Sequence, residues 1–331
     1  MTSIYLDFEK PIAELEKKIE ELKTFNLAFN QNNIASIDDE INSLEIKKEK
    51  VIREVFKNLT NWQIIQLSRH PLRPYTLDYI ELITENFIEL HGDRLFMDDR
   101  SVIGGFAFIK KNNGNKRSGF QSVLIVGHQK GRTTKEKIYR NFGMPNPEGY
   151  RKAQRLFKLA EKYSIPVITF IDTPGAYPGL GAEERGQSEA IASTIYTLSN
   201  LKIPVISIVI GEGGSGGALA FGVANRVFML EYSIYSVISP EGCASILYKD
   251  ASKTENAANT LKLTAKDLFN YGIIDGIIPE PLGGAHRDKV KISQEIKSII
   301  LDAVSELKNL DHETLRAERI KKFLVLDKFN D

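Results

Sequence analysis

The sequence contains one cysteine, Cys243, among its 331 residues. A disulfide within the chain and a zinc site built on paired cysteines are therefore excluded, and a single thiol suits a reducing compartment. Long apolar runs are also missing, since none approaches the roughly 20 residues of a membrane span and residues 1–10 lack the apolar core of a secretory signal. We therefore expect a cytoplasmic chain with no membrane contact, or a plastid stroma if an organelle genome encodes it.

A surplus of charge of either sign is missing as well. The chain has 44 Lys and Arg residues against 43 Asp and Glu residues, for a formal net charge of +1. No general electric field would therefore draw it to nucleic acid or to an acidic membrane surface. The content of 42% hydrophobic and 26% charged residues is that of a globular protein with one large domain or two ordinary ones.

Glycine, by contrast, is concentrated, and five of the seven residues from Gly211 to Gly217 are glycine. They follow an apolar run at 204–210 and precede another at 218–221, which predicts a strand, a glycine loop and a helix from about Gly217. Glycine permits positive φ and close contact between backbone and ligand, and a helix that begins there directs unpaired N–H groups at the loop. The pattern predicts a site for an anion or a developing oxyanion.

The same order of features occurs 38 residues earlier, with Pro166 matching Pro204. Residues 165–171 form an apolar run, 172–181 a loop of glycine and proline, and 182–198 a helical pattern. Unbroken Val/Ile/Phe runs between helices predict parallel strands buried on both faces, because a half-exposed strand would alternate polar and apolar residues. We expect the two loops to leave the same edge of one sheet.

Helical patterns occupy both ends of the chain. Helices over 11–22 and from about Ser36 to 59, separated by a break at 26–33, would form a charged hairpin. This hairpin is either an arm that packs on a partner or a cap on the chain's own core. Thr76 is expected to cap a helix that continues to Leu90. The other predicted elements are strands at 103–110, 120–126, 226–230 and 235–238, a turn at Asn113-Gly114, and helices at 252–270, 288–307 and 311–323.

The spacing of Gly211, Gly213 and Gly216 is that of a dinucleotide-binding loop. The loop follows a predicted strand and opens a predicted helix, and Glu231 ends the next strand 20 residues after Gly211. Glu212 argues against this interpretation, because it would place a carboxylate beside a pyrophosphate. An NAD-dependent oxidoreductase is kept as the alternative function.

Nucleophile and metal chemistry have little support in the sequence. Ser215 satisfies the Gly-x-Ser-x-Gly pattern of a hydrolase, but its triad would need His286 or His312 as the base. The five histidines are scattered, with no spacing typical of metal ligands, so no metal is expected. Cys243 is expected to be a small buried thiol rather than a reactive one.

Positive charge is concentrated in residues 128–137, directly after the predicted strand that ends at Val126. Lys130 and Arg132 are the first two cations of this run. The run is either a docking place for a phosphorylated or carboxylated ligand or an ordinary solvated loop and helix face.

Longer motifs give a resemblance that covers nearly the whole chain. They resemble those of the carboxyltransferase alpha subunits of multisubunit acetyl-CoA carboxylases. The matching segments are residues 6–15, 69–79, Gly127-His128-Gln129-Lys130-Gly131-Arg132, Asn141-Phe142-Gly143-Met144-Pro145, Asp172-Thr173-Pro174-Gly175-Ala176-Tyr177-Pro178-Gly179, 211–220, 236–245 and 278–287. Residues 26–33 and 112–119 depart from the family pattern, and both lie away from the predicted strand ends.

The resemblance implies an α/β fold of the crotonase (ClpP)-like type, a spiral of ββα units with an N-terminal helical hairpin. This differs from the open doubly wound sheet that a dinucleotide-binding loop would suggest. On this basis we expect an N-terminal helical arm over residues 1–75, a crotonase-like carboxyltransferase domain over 76–310 and a C-terminal helical tail over 311–331.

The resemblance also implies a reaction, the transfer of a carboxyl group from carboxybiotin on a biotin carboxyl carrier protein to acetyl-CoA. The product, malonyl-CoA, is the first committed intermediate of fatty acid synthesis. Negative charge develops on the thioester oxygen and on the ureido oxygen of biotin, so fixed backbone donors are needed and a protein nucleophile is not. The ureido anion left by decarboxylation can take the acetyl proton, so the substrate itself can supply the base.

By the same resemblance, the N–H groups of Gly216 and Gly217 would form the oxyanion hole for the ureido oxygen. The implied substrate-binding residues are Gly213, Gly214, Thr173, Gly175, Gly179, Lys130 and Arg132. No metal is implied for this chain, because the zinc ribbon of the family belongs to the beta subunit.

This chain would supply half of an active centre. A carboxyltransferase beta subunit would supply the acetyl-CoA half, in an assembly of two alpha and two beta chains, and biotin carboxylase is a further expected partner. Little activity is expected of the chain alone. A catalytically silent scaffold subunit is the remaining hypothesis, and it predicts that substitutions in the glycine loop leave an assembled complex active.

Overall fold

The computed structural model describes residues 4–28, 34–111 and 119–326. Its helices are α1 (Lys10–Ala28), α2 (Ile34–Lys57), α3 (Asn61–Ser68), α4 (Thr76–Ile83), α5 (Thr134–Tyr139), α6 (Pro147–Lys162), α7 (Leu180–Glu184), α8 (Gln187–Asn200), α9 (Ser215–Gly222), α10 (Pro240–Leu247), α11 (Thr254–Leu261), α12 (Ala265–Asn270), α13 (Lys289–Leu307) and α14 (His312–Leu324). Its strands are β1 (Glu85–Glu89), β2 (Val102–Lys110), β3 (Phe120–His128), β4 (Val167–Thr173), β5 (Val205–Gly214), β6 (Arg226–Leu230), β7 (Ile234–Ser236) and β8 (Gly276–Ile278). Among the described helices, none has both the length and the apolar character that a membrane crossing requires.

All eight strands belong to one sheet, in the order β1-β2-β3-β4-β5-β6-β8, with β7 paired to the end of β5. The first three strands are antiparallel neighbours, and the others pair in parallel. β4 is buried along its whole length and β5 up to Gly213, because helices cover both faces of the sheet. The predicted parallel, doubly buried strands are confirmed.

Apolar side chains of α6, α8 and α9 meet one face of the sheet, and those of α4 and α13 meet the other. In β5, Val209 faces the first group and Ile208 the second, as the alternation of a strand requires. Full burial of such a side chain contributes about 1.5–3 kcal/mol. The core therefore holds the ends of β4 and β5 in place on both sides.

α1 and α2 form the predicted helical hairpin. Ile12 from α1 and Phe56 from α2 pack in an apolar cluster with Leu67 of α3, and the ring of Tyr232 lies 5.8 Å from that of Phe56. The base of the hairpin therefore caps the chain's own core. For the rest of the hairpin, packing on a partner stays a prediction, and the predicted break at 26–33 lies largely outside the described residues.

The helix predicted from Thr76 to Leu90 is wrong in its second half. It ends at Ile83, and Glu85–Glu89 is the edge strand β1. Tyr75 rather than Thr76 is the residue before the helix, and the Thr76 hydroxyl donates to the carbonyl of His128 at 2.5 Å. Pairing with β2, which is distant in sequence, overrides the local helical pattern after Ile83.

Two other predicted helices are interrupted. Gly186, with a φ of 81°, separates α7 from α8 within residues 182–198. Residues 252–270 are divided among a short 3-10 turn, α11 and α12, and Lys262 has a φ of 49° between the two helices. Left-handed residues end a helix because the hydrogen-bond ladder cannot continue through them.

The other predicted elements are confirmed to within a few residues. Strands expected at 103–110, 120–126, 226–230 and 235–238 correspond to β2, β3, β6 and β7, and helices expected at 288–307 and 311–323 correspond to α13 and α14. The turn predicted at Asn113-Gly114 lies outside the described residues. The division into segments 1–75, 76–310 and 311–331 stays a prediction.

Two histidines that are far apart in sequence lie together in the structure. The rings of His70 and His286 stack with centroids 4.0 Å apart, and Nε2 of His286 is 3.9 Å from Glu9. The spacing of these three side chains would suit a metal ion. However, both ring nitrogens of His70 are hydrogen-bonded to backbone groups, and Arg287 donates to Glu9. These contacts favour an anchor for the N-terminal segment.

The buried histidine pair predicts loss of stability in acid. Burial, together with the neighbouring His70, lowers the pKa of His286 from 6.5 to about 2. Below about pH 6.5 the unfolded chain therefore binds a proton that the folded chain does not, so stability falls as the pH is lowered towards 2. We expect His286→Gln to remove up to about 2 kcal/mol of the fall in unfolding free energy between about pH 7.5 and 5.0. Urea unfolding at both pH values measures this.

The control for this experiment is His91→Gln, since His91 lies on the surface. Its change in unfolding free energy between the two pH values should match that of the parent. If His286→Gln loses as much stability in acid as the parent does, the buried pair does not cause the acid sensitivity.

Candidate active site

The two glycine segments leave the same edge of the sheet, as the sequence predicts. β4 and β5 pair in parallel, and their ends meet where Thr173 lies opposite Gly213. The segments then contact each other, because a Cβ added to Gly217 would lie 2.6 Å from the nitrogen of Ala176. Glycine at this position lets the two backbones approach more closely than any side chain would allow.

The helix after the glycines begins at Ser215, because β5 continues to Gly214; the predicted start at Gly217 is therefore two residues late. Ser215 has a φ of 55°, a left-handed value that turns the chain abruptly from strand to helix. Such strain in a non-glycine residue is typical of functional sites. No side chain of the preceding residue caps the helix, and the N–H groups of a first helical turn have no acceptor within the helix. Gly216 and Gly217 belong to that turn.

An apolar cavity of about 400 Å³ opens beside the helix start. Ser215, Gly216 and Leu219 of α9 line it, together with Tyr235 of β7 and Phe323 of α14. The first turn of α9 at one edge and mostly apolar side chains elsewhere suit a small ring.

The loop from Thr173 to Gly179 lies against the same helix start. The Thr173 hydroxyl contacts both backbone groups of Gly175, accepting from the N–H at 3.1 Å and lying 2.8 Å from the carbonyl. Gly175 has a φ of 149°, which favours glycine. A Cβ added to Gly214 would lie 2.2 Å from the Pro174 oxygen. Four predicted substrate-binding residues therefore lie together, Thr173, Gly175, Gly213 and Gly214, whereas Gly179 lies at the start of α7.

A chain of paired charges, partly buried, lies next to the glycine segment. Nζ of Lys130 is 2.7 Å from Asp172 and 2.9 Å from Glu212. The other oxygen of Glu212 accepts from Arg69 at 2.6 Å, and Arg69 also pairs with Glu241 on α10. The predicted positive site at Lys130 is thus neutralised by two carboxylates of the same chain.

These contacts fix the protonation state of the cluster. Burial alone would raise the pKa of Glu212, but Lys130 and Arg69 lower it to about 2. Burial opposes the charged form of Lys130, yet Asp172 and Glu212 raise its pKa above the usual range. Lys130 and Glu212 are therefore both charged near pH 7, as a favourable ion pair requires.

His128, at the end of β3, contacts both β4 and α9. It is fully buried, its ring stacks on Phe221 of α9 at 4.6 Å, and its Nδ1 is 3.4 Å from the amide nitrogen of Asp172. Burial, and then the charge of Lys130, lower the pKa of His128 to about 3. The ring is neutral near pH 7 and packs as part of the wall behind α9.

Arg132, the second predicted basic contact, faces another direction. It donates to Asp78 at 2.6 Å and to the carbonyl of Pro71, and its guanidinium lies over the ring of Tyr75. The structure therefore places Lys130 beside the glycine segment and Arg132 against α4. The role of both residues towards a substrate stays a prediction.

A serine hydrolase triad is not formed within the described part of the chain. Of its two candidate bases, His286 stacks on His70, and His312 contacts the carbonyl of Lys202. Ser215 does lie at a strained turn between strand and helix, as a hydrolase nucleophile does. The resemblance ends there, because neither histidine has a contact with Ser215.

Asp172 and Arg73 are not predicted from the sequence as residues of this site, and neither are the contacts of Glu212 with Lys130 and Arg69. Asp172 follows the apolar run at 165–171 and is itself buried, and Arg73 is fully buried beside Glu280. A charged residue directly after such an apolar run was the available signal for Asp172. No local signal shows that Glu212 turns towards Lys130 rather than towards a ligand.

Solved structures share this fold. Transcarboxylase 12S, with methylmalonyl-coenzyme A and methylmalonic acid bound, has a TM-score of 0.55 and 19% identity over 72% of this chain and 42% of that chain. For the beta subunit of P. aeruginosa geranyl-CoA carboxylase the TM-score is 0.53, with 17% identity over 76% of this chain and 45% of that chain. The chain thus spans less than half the length of these solved chains. Its fold is that of the crotonase-like carboxyltransferases, as predicted.

The family follows from sequence. The model for "Acetyl co-enzyme A carboxylase carboxyltransferase-like" proteins matches residues 5–327. The acetyl-coenzyme A carboxylase carboxyl transferase subunit alpha of Ruthia magnifica subsp. Calyptogena magnifica is 55% identical over 99% of both chains. That of Azoarcus sp. (strain BH72) is 52% identical over 100% of this chain and 99% of its own. The chain belongs to this family of alpha subunits, the transferase component of a biotin-dependent enzyme.

The predicted family and activity are therefore confirmed. The alternative of an NAD-dependent oxidoreductase has no support among these relatives. In the structure, Gly211 and Gly213 lie within β5 rather than in a loop before the helix, which differs from the arrangement of a dinucleotide-binding turn.

Proposed function

We propose that this chain binds the carboxybiotin side of the transfer reaction at the start of α9. The amide N–H groups of Gly216 and Gly217 are the proposed donors to the ureido oxygen. One observation carries this proposal: the uncapped helix start in the second glycine segment packs against the first segment too closely for a Cβ at Gly217. Donors held in this way do not reorganise when charge develops, which is the main requirement of an oxyanion hole.

The residues present fit this substrate. The cavity of about 400 Å³ beside Gly216 is walled by apolar side chains, which suits the fused ring of biotin. Carboxybiotin supplies the carboxyl group, so the protein needs donors and no nucleophile. Thr173, Gly175, Gly179, Gly213 and Gly214 are proposed to shape the cleft, and each hydrogen-bond donor of such a site contributes about 10²–10³ in rate.

Lys130 and Arg132 remain proposed contacts for an anionic part of the substrates. Both are already paired with carboxylates of this chain, so a bound anion would have to share them. If alanine variants of the two residues have unchanged KM values for both substrates, the two residues do not belong to the binding site.

The proposed partners are a carboxyltransferase beta subunit, in an assembly of two alpha and two beta chains, the biotin carboxyl carrier protein and biotin carboxylase. The chain spans less than half of the solved carboxyltransferase chains that share its fold, which supports a second polypeptide for the acetyl-CoA half. We propose that the assembly makes malonyl-CoA from acetyl-CoA in the cytoplasm, or in a plastid stroma if the gene is organellar.

The reverse reaction tests this function. The purified chain, alone and mixed with a beta subunit, is assayed for decarboxylation of malonyl-CoA in the presence of biotin. We expect turnover from the mixture alone, since each chain holds half of the site. Omission of biotin is the control and should abolish turnover. A stoichiometric complex that produces no biotin-dependent acetyl-CoA would contradict the proposal.

A further inference from the structure

The parallel pairing of β4 with β5 is interrupted next to the glycine segment. The strands pair in step as far as Ile171 and Val209, and the next pair is Thr173 with Gly213. Between these pairs β4 contributes one residue, Asp172, whereas β5 contributes three, residues 210–212. The two extra residues form a bulge in β5. Bulges redirect a strand and are frequent beside active sites.

Side chains bind two backbone groups of this bulge. The N–H of Glu212 donates to the Asp172 carboxylate at 2.9 Å, and the carbonyl of Ile210 accepts from Nε of Arg73 at 2.6 Å. Asp172 is 2% exposed and Arg73 is 1% exposed. Because buried backbone groups need partners, these two side chains supply hydrogen bonds where the ladder between the strands is interrupted.

Both side chains are themselves held by charge. Asp172 pairs with Lys130, and Arg73 makes two hydrogen bonds to the buried carboxylate of Glu280. At Gly211 an added Cβ would lie 2.4 Å from an oxygen of Asp172, so the carboxylate is in direct contact with the bulge. Buried ion pairs stabilise a fold little in comparison with apolar packing, since loss of hydration offsets their attraction. A contribution to stability therefore does not explain well why two buried ion pairs lie at one bulge.

We propose that Asp172 and Arg73 are positioning residues that fix the bulge at 210–212 and thereby aim the Gly213–Gly217 backbone at the substrate. This inference rests on the proposed function of Gly216 and Gly217. The bulge directly precedes the segment that carries the proposed donors, so its geometry sets where their N–H groups point. A displacement of about 1 Å in such a site lowers the rate about 10²-fold.

The test compares two substitutions of Asp172 in the complex with the beta subunit. Asp172→Ala removes the acceptor for the Glu212 N–H, and we expect kcat to fall about 10²-fold with KM values within about twofold of the parent. Asp172→Asn keeps an oxygen acceptor, and we expect it to recover most of the lost kcat. Hydrogen exchange of the 209–217 backbone in the isolated chain should be faster in the alanine variant than in the asparagine variant.

Asp93 provides a matched control. It is also a buried carboxylate that accepts three backbone N–H groups and pairs with an arginine, Arg151. We expect Asp93→Ala to lower thermal stability while kcat of the assembled complex and the exchange of 209–217 stay as in the parent.

The outcomes distinguish failure of the proposed function from failure of the positioning role. A parent complex without carboxyl transfer would contradict the proposed function, whatever the variants do. If the parent complex is active and Asp172→Ala has the same kcat as the parent, the positioning role is overturned. It is also overturned if Asp93→Ala lowers kcat as much as Asp172→Ala does. If Asp172→Ala does not assemble, Arg73→Lys replaces it, because lysine keeps the charge beside Glu280 but lacks the planar fork that also reaches Ile210. If Arg73→Lys has the same kcat as the parent and the same hydrogen exchange of the 209–217 backbone, the proposal is overturned.

Discussion

Replacing Gly217 by alanine is expected to lower the rate of carboxyl transfer about 10²–10³-fold, the usual effect of losing one oxyanion donor. The added Cβ would lie 2.6 Å from the nitrogen of Ala176 and 2.7 Å from the carbonyl carbon of Gly175. Both neighbours are backbone atoms, which cannot rotate away as a side chain can. The two glycine segments must therefore separate, and the first turn of α9 moves with them. Steady-state kinetics of the assembled complex measures the effect.

Gly216 offers the matched comparison. A Cβ there would meet the side chain of Ile191 at 3.7 Å, an ordinary van der Waals distance, and no backbone atom within 4 Å. Gly216→Ala should therefore leave the first turn of α9 in place and lose less than about tenfold in rate, well below the loss for one displaced donor. Full activity of an assembled Gly217→Ala complex would contradict the proposed site and would favour the silent scaffold hypothesis.

Lys130→Met is expected to lower the free energy of unfolding by about 3–5 kcal/mol near pH 8, because it leaves two buried carboxylates without their shared cation. Lys130 lies 2.7 Å from Asp172 and 2.9 Å from Glu212. Without it, the pKa of Glu212 should rise from about 2, because a neighbouring negative charge and burial both oppose ionisation. The variant then takes up protons on folding. The difference in free energy of unfolding between the parent and the variant should therefore shrink as the pH is lowered towards about 5.5.

Urea unfolding of two further variants separates the charge effect from the loss of packing. Adding Glu212→Gln to Lys130→Met removes one carboxylate and should restore part of the stability near pH 8. Lys135→Met replaces an exposed lysine of the same basic run and should change the free energy of unfolding by less than about 0.5 kcal/mol. If Lys130→Met is as stable as the parent at both pH values, the buried ion cluster does not contribute to the fold.

The strand ends and the glycine segments could be predicted because their signals are local. An apolar run such as 204–210 identifies a doubly buried strand, and the glycines after it identify a place where backbone and ligand approach. The repeat of this pattern at 165–181 placed both segments at one edge of the sheet, since parallel strands end on the same side. The long motifs also identified the family, which the relatives confirm.

The sequence predicts the structure less well where a segment pairs with a distant partner. The helical pattern after Ile83 gave way to β1, because that segment completes the edge of the sheet beside β2. His70 and His286 stack although neither sequence neighbourhood indicates a pair. Lys130, expected to attract an anionic ligand, instead pairs with Asp172 and Glu212. Sequence alone could not show these pairings, because each joins segments that are not neighbours in the sequence.

By itself, the sequence determined the class of fold, the family and the location of the candidate oxyanion segment. Each of these depends on the type and order of residues over short stretches, which apolar runs, glycines and long motifs record directly. The tertiary structure decided the bulge at 210–212, the side chains that bind it and the pairing of Lys130 with Asp172 and Glu212. The physical reason is that strand register and burial arise from contacts between distant segments, and these contacts determine which charges meet and which backbone groups still need a partner.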